Sequence, residues 1–323
     1  MAAALVVQMN TAAAAASHHS PSSVLPLAPP PYSAPSSIFT PSAPPALASA
    51  SASIPPPVSY DQYLMNRFRE IAGRYEIRPD FCAKLRQLED YDIVIIADDS
   101  GSMNTRVQPG GGGAGAGAAG AFAPSKTRWN ELCEFCSIVS EIGSVMDKDG
   151  IDIYFLNRPP ALHVRSPTDP HFQSAFLSYP TGSTPLVACL QNVIQARCRT
   201  ADAGRRILIV IATDGAPDGG ESGVAEFIKT IRYRPDNTNV TILACTDDSS
   251  TVEYLNKIDK IIPGVDVVDD YRSELIEIRR AQGEKFPFSY GDYVVKVLLG
   301  SIDPVMDKLD ERRGVVSSCC CVA

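Results

Sequence analysis

Charge is missing from the start of this chain. Residues 1–60 hold no Asp, Glu, Lys or Arg, and 12 of the 26 prolines fall there among Ala and Ser. Such a segment has too little large apolar surface to offset the entropy of ordering it, so a disordered tail is expected over 1–59. The stretch also lacks the basic n-region of a secretory signal, and with Arg67 as the first basic residue it lacks the arginine of a transit peptide. No apolar run approaches the length of a transmembrane helix. An excess of positive charge is absent too: 29 Lys and Arg against 37 Asp and Glu leave a net charge of −8. With no basic stripe interleaved with aromatics, the composition argues against a nucleic-acid binder. Histidine is scarce, and His163 and His171 stand in no partner pattern. There is no phosphate-cradling Gly-x-x-x-x-Gly-Lys loop.

The cysteines do not form a secreted framework. Cys82, Cys133, Cys136, Cys189, Cys198 and Cys245 are scattered through apolar settings, as expected of small core residues in a reducing compartment. Cys133-x-x-Cys136 lies in a helical pattern with no second pair or matching histidines, which speaks against zinc or redox chemistry. The chain is therefore expected to stay cytoplasmic.

What is present is an alternation of two periodicities. Helical spacing over 60–90 suggests an N-terminal extension, first through Tyr63, Leu64, Phe68 and Ile71, then through Phe81, Leu85 and Leu88. Ile93–Ala97 is a β-branched apolar run, the mark of a strand buried on both faces of a parallel sheet. Further strands are expected at Ile151–Leu156, Ile207–Ala212, Val240–Ala244 and Val265–Val268. Helices are expected at Arg128–Val145, Leu186–Ala196, Val224–Ile231, Glu253–Ile261 and Ser273–Ala281. A last one runs from Tyr290 to about Arg313, with Val294, Val297, Leu298, Ile302, Val305 and Leu309 on one face. A nearly pure Gly/Ala insertion over 107–124 is expected to be disordered. Strands alternating with helices imply an α/β fold, a doubly wound, mostly parallel sheet flanked by helices, with ligands outside the carboxyl ends of its strands. The expected organisation is a tail (1–59), a helical extension (60–90), a main domain (91–282), a C-terminal helix (283–313) and a flexible end (314–323).

The richest chemistry follows two of those strands. Asp98-Asp99-Ser100-Gly101-Ser102 comes directly after Ile93–Ala97, and Asp214-Gly215 comes after Ile207–Ala212 and Thr213. Thr181-Gly182-Ser183-Thr184-Pro185 precedes a helix. Together they offer hard oxygen ligands, which suit Mg²⁺ or Ca²⁺ rather than zinc or copper. Asp99 falls between ligand positions and reads as a solvent-facing or helix-capping carboxylate. Asp218 reads as a loop residue. Asp147-Lys148-Asp149-Gly150 departs from the spacing of a calcium loop and reads as a tight turn before a strand.

Asp98-x-Ser100-x-Ser102, then Thr184, then Asp214 resembles the metal-ion-dependent adhesion site of von Willebrand factor A domains, in the family's order and over residues 91–280 or so. The resemblance implies a Rossmann-like von Willebrand A fold and a bound Mg²⁺, with Ca²⁺ or Mn²⁺ as alternatives. It also implies that both serines and the threonine contact the cation, that the aspartates act directly or through water, and that one position stays open for an acidic group of a protein partner. The insertion is longer than the family's usual loops.

The chain ends Cys319-Cys320-Cys321-Val322-Ala323. Cys320-Cys321-Val322-Ala323 fits a prenylation pattern, with terminal alanine favouring farnesyl, and Cys319 is positioned to add a second lipid by palmitoylation. The sequence thus points to a non-enzymatic, metal-dependent protein-binding or scaffold module held by lipid at the cytosolic face of a membrane. The rival class is a metal-dependent hydrolase or phosphoryl-transfer enzyme. Against it stands the lack of an evident base, and of paired carboxylates two residues apart, beside Asp98. A third reading is a structural module whose site only braces loops.

Overall fold

The computed structural model describes residues 59–107, 126–147, 149–200, 204–246 and 260–311, together with 248, 254, 255 and 258. The expected tail over 1–59, the insertion over 107–124 and the end with Cys319 and Cys320 lie outside the described residues, Ser59 and Val107 apart. The expected helix Glu253–Ile261 is described only in part.

The protein is a doubly wound α/β fold. Its strands are β1 (Tyr91–Ala97), β2 (Ile151–Phe155), β3 (Ala161–Val164), β4 (Arg206–Thr213), β5 (Thr238–Ala244) and β6 (Val265–Val268). They form one sheet in the order β3-β2-β1-β4-β5-β6, and only β3 runs antiparallel to its neighbour. Side chains alternate across the pleat, so each strand feeds two cores. Ile93, Ile95, Leu208 and Val210 face one of them. On that face lie α1 (Tyr60–Tyr75), α2 (Pro79–Lys84) and α3 (Arg128–Met146). Val94, Ile96, Ile209, Ile211 and Ile242 face the other, with Leu190 and Phe227 from helices farther along. Because both faces are covered, the central strands read as unbroken apolar runs.

Three features depart from the sequence expectations. β3 and the helix α4 (Pro170–Leu177) occupy a stretch in which no element was expected. β3 is four residues long, and its two central residues, Leu162 and His163, are exposed, so it carries no burial pattern to read. The helices α5 (Leu186–Thr200), α6 (Gly220–Arg232) and α7 (Tyr271–Gln282) follow, and then α8 (Tyr290–Leu299), which stops well short of Arg313. Gly300 to Asp303 interrupt it before a single turn, α9 (Pro304–Asp307). Pro304 has no N–H for a helical bond, and Asp303 caps the new turn by accepting from the Val305 N–H at 2.8 Å. Beyond the break Leu309 of the expected apolar face still reaches the core, but Val305 turns out to solvent and Met306 takes its place, because the interruption changes the helical phase.

The N-terminal helices share that core with the sheet. Leu64, Phe68, Ile71 and Phe81 are buried in one apolar cluster with Val294, Val297 and Leu298 of α8. Arg78 N–H donates to Asp292 Oδ1 at 2.8 Å, and Lys84 pairs with Asp303 at 2.5 Å.

Candidate metal centre

Register fixes where the oxygen-rich residues meet. Ala97, the last residue of β1, lies opposite Ala212 of β4, which runs one residue further to Thr213. The Asp98 N–H continues the ladder by donating to Ala212 O at 2.9 Å, which sets Asp98 beside Thr213 and Asp214. Past Asp98 the chain turns tightly. The Ser100 N–H donates back to Asp98 Oδ1 at 2.9 Å, and a 3-10 turn over Gly101–Asn104 is pinned by the buried Met103.

The side chains form a continuous web. Thr213 Oγ1 donates to Asp98 Oδ2 at 2.7 Å. Ser100 Oγ and Ser102 Oγ are 3.0 Å apart, and Ser102 Oγ donates to Asp214 Oδ1 at 2.7 Å. Asp98, Ser100 and Asp214 are buried, Ser102 is exposed and Thr184 half-buried. The side chains of Ser100, Ser102 and Asp214 meet, whereas the Thr184 loop is joined to them through the backbone at Gly101 and Gly182. Burial pushes the Asp98 carboxyl above the usual carboxylate range, against the hydrogen bonds from Ser100 and Thr213 that favour its ionised form.

Thr184 arrives on a separate loop. Gly101 N–H donates to Gly182 O at 3.2 Å, joining that loop to the first turn. Gly182 has φ 108°, and a Cβ there would collide with Asn157 Oδ1, so the close approach requires glycine. Asn157 Nδ2 donates to Ser183 O at 2.9 Å. The segment is fixed from the other side by Asp218, whose Oδ1 accepts from the Thr184 N–H at 3.0 Å while its own N–H donates to Thr184 O at 2.9 Å. Asp218 is therefore a positioning group rather than an incidental loop residue.

Asp99 also departs from expectation. It is wholly buried, neither solvent-facing nor a cap. Its Oδ1 accepts from the Asn157 N–H at 2.8 Å and from Asn157 Nδ2 at 3.1 Å, and Oδ2 pairs with Arg158 Nε at 2.6 Å. Arg158 in turn donates to the carbonyls of Ala175, Ser178 and Tyr179 and lies 5.0 Å from the Trp129 ring centroid. Asp99 thereby orients Asn157, and Asn157 orients the Gly182–Thr184 loop. An open cleft of about 440 Å³ lies beside this pair, bordered by Pro160, His171, Tyr179 and Thr181.

Arg128, to which no sequence signal pointed, completes the cluster. Its Nη1 pairs with Asp214 Oδ2 at 2.8 Å and its Nη2 donates to Thr246 Oγ1 at 2.9 Å. It opens α3 directly after a capping box of Thr127 and Asn130. The helix start is tied to the first turn, since Arg128 N–H donates to Thr105 O at 3.0 Å and Arg106 pairs with Thr127 as an antiparallel bridge.

Among the described residues, no three His, Cys, Asp or Glu side chains group so as to hold a metal ion. This cluster has a different composition, two carboxylates with hydroxyls. Its separations are hydrogen-bond lengths, the same size as the gap between neighbouring ligands of a small divalent ion. Ligands at about 2.1 Å on an octahedral ion lie about 3.0 Å from their neighbours. The 3.0 Å and 2.7 Å separations through Ser102 Oγ are of that size.

The cysteines have a simpler account. Cys133, Cys136 and Cys189 are buried, Cys82 and Cys245 partly so, and all five are free. Burial pushes the Cys133 and Cys189 thiols up to about 12, so they are inert packing groups. At the turn before β2, Asp147 Oδ1 accepts from the Asp149 N–H at 2.9 Å and Gly150 takes φ 83°.

Fold and site together define a class: a doubly wound α/β protein with a hydroxyl-and-carboxylate cluster at the carboxyl edge of its sheet. No family model matches the chain, and no curated protein matches it. No described helix is long and apolar enough to cross a membrane.

Proposed function

We propose that this protein is a non-enzymatic binding module of the von Willebrand A type. In this reading Asp98, Ser100, Ser102, Thr184 and Asp214 hold Mg²⁺, with Ca²⁺ or Mn²⁺ as alternatives, and the site captures an acidic group of a protein partner. The observation that carries the reading is the convergence of Ser100, Ser102 and Asp214 oxygens at ligand-to-ligand distances from two separate loops. When bound, the cation supplies positive charge with an open coordination position.

The chain's own residues do the rest. Ser100 and Ser102 are neutral, so they can turn their lone pairs to a cation without cancelling its charge. Asp98 and Asp214 supply the negative charge needed to retain it, and the bonds from Ser100 N–H and Thr213 Oγ1 hold Asp98 in place. Asp99 and Asp218 keep the Thr184 loop at the mouth. The cleft beside Asp99 leaves room for the partner segment that flanks the acidic group. The tether through Cys320 and Cys319 rests on the sequence pattern alone.

The test uses the full chain with partner capture as readout. Capture is expected to vanish with EDTA and with Asp98→Ala, while Cys320→Ser moves the protein out of the membrane fraction and leaves metal-dependent capture intact. Capture indifferent to EDTA and Asp98→Ala overturns the metal-dependent reading. A Cys320→Ser variant that stays in the membrane fraction overturns the tether.

A further inference from the structure

Lys296 of α8 is fully buried, and its ammonium is shared. Nζ lies 2.9 Å from Glu274 Oε1 of α7 and 3.4 Å from Asp310 Oδ2, just past α9. Asp266 of β6 and Asp269, in the turn before α7, add two more carboxylates to its surroundings. Asp269 also faces Asp270 and Glu277, and its Oδ1 is buried with no hydrogen-bond partner. At the rim, Asp307, Lys308 and Glu311 carry the charges around Asp310. The segment 308–311 that brings Asp310 in is held at few points. Leu309 is buried, its carbonyl accepts from Gln282 Nε2 at 2.8 Å, and its N–H reaches Met306 O at 3.3 Å. Lys308 and Glu311 on either side are exposed.

We infer that segment 308–311 is a proton-controlled latch, shut on α7 and α8 while Glu274 is protonated and opening as Glu274 ionises. Linkage fixes the sign. With the segment in place, burial and the nearby Asp310 charge raise the proton affinity of Glu274 to about 7 and of Asp269 to about 6, against the pull of Lys296. Opening takes the Asp310 charge away and lets water in, so the open form binds fewer protons and rising pH favours it. The hold is complete below the open-state values and is lost as pH rises through about 6 and then about 7. Lys296 stays paired with Glu274 while the outer turn comes undone. The latch stands apart from the cation site. In sequence the segment leads on to Cys319 and Cys320, so opening would lengthen the lead between domain and lipid, a consequence that rests on the proposed tether.

The experiment follows amide hydrogen exchange of the full chain at about pH 5.5 and about pH 7.5, corrected for the intrinsic rate. Lys308 and Leu309, whose N–H groups donate to Pro304 O and Met306 O, are the probes, and the amides of α8 report global opening. Protection of the two probes is expected to fall about tenfold between the two pH values and to be insensitive to low urea, as for a local opening. Glu274→Gln, uncharged at both pH values, is expected to hold that change within about threefold. Asp310→Asn, at the rim, is expected to loosen the probes about threefold or more at the lower pH and to at least halve the pH response. Equal protection of the parent chain at both pH values overturns the inference. So does exchange of the probes with the urea dependence of α8, which would place the opening in the whole fold. Should Glu274→Gln fail to fold, Asp310→Asn decides, and a pH response as steep as the parent's overturns the latch.

Discussion

Among the buried carboxylates of this fold, those at the carboxyl edge and those beside β6 are neutralised in different ways. At the carboxyl edge, Asp98 and Asp214 are met mainly by hydroxyls, from Thr213 and Ser102, with Arg128 on one oxygen. Beside β6, Glu274 is met by the fully buried Lys296 at 2.9 Å, and the same ammonium reaches Asp310 at 3.4 Å. A hydroxyl can turn, donating to a carboxylate in one state and offering a lone pair to a cation in another. An ammonium has only donors, so its partners are fixed. The first cluster can therefore exchange partners without refolding, and the second cannot. Two carboxyls near Lys296 stand well above their usual range: burial raises Glu274 to about 7 and Asp269 to about 6, outweighing the attraction of the lysine.

The sharpest break of that contrast is Lys296→Met. It removes the ammonium and strands Glu274 without its counter-charge, so urea denaturation should register a loss of about 3–5 kcal/mol. A loss below about 1 kcal/mol would show that the cluster is already neutral, with its carboxyls protonated.

Next in size is the pH dependence. Glu274 and Asp269 have folded values above their unfolded ones, so the folded state binds more protons between about pH 4 and 7. Their stabilising contribution is complete below the unfolded values and is lost as pH rises through about 6 and then about 7. For Glu274 alone the decline is on the order of 3 kcal/mol. Glu274→Gln should flatten the stability profile in this window, and an unchanged slope would assign the titration elsewhere.

The smallest effect belongs to the exchangeable cluster. Asp98 is also raised by burial, so without a cation its charge is a liability. Asp98→Asn is expected to raise the thermal stability of the metal-free chain slightly and to abolish any stabilisation by Mg²⁺. A variant still stabilised by Mg²⁺ would place the ion away from Asp98.

The sequence carried the central sheet because Ile93–Ala97 and Ile207–Ala212 are buried on both faces and so are visibly apolar. It carried the placement of Asp98, Ser100, Ser102 and Asp214 at the carboxyl edge, because those residues follow two paired strands whose register sets them side by side. It did not carry the residues that brace them. Asp99 looks like any turn carboxylate until Asn157 and Arg158, 58 and 59 positions away, fold against it. Arg128 is a basic residue at the start of a helix, two positions after Lys126, and its partner lies 86 positions on. Such roles depend on tertiary approach, which neither periodicity nor local motif encodes. The break at Gly300–Asp303 was hidden for the opposite reason, since apolar spacing persists across it and masks the proline that follows.

The bridge between Arg106 and Thr127, with Val107 N–H donating to Lys126 O at 2.8 Å, clamps the base of everything spliced between them. Loop closure grows only logarithmically with length, about 0.6 kcal/mol per doubling. A reporter module or an epitope could thus replace the glycine-rich stretch while the two ends stay clasped. The chain has a natural cassette port there, one residue before the arginine that pairs with Asp214.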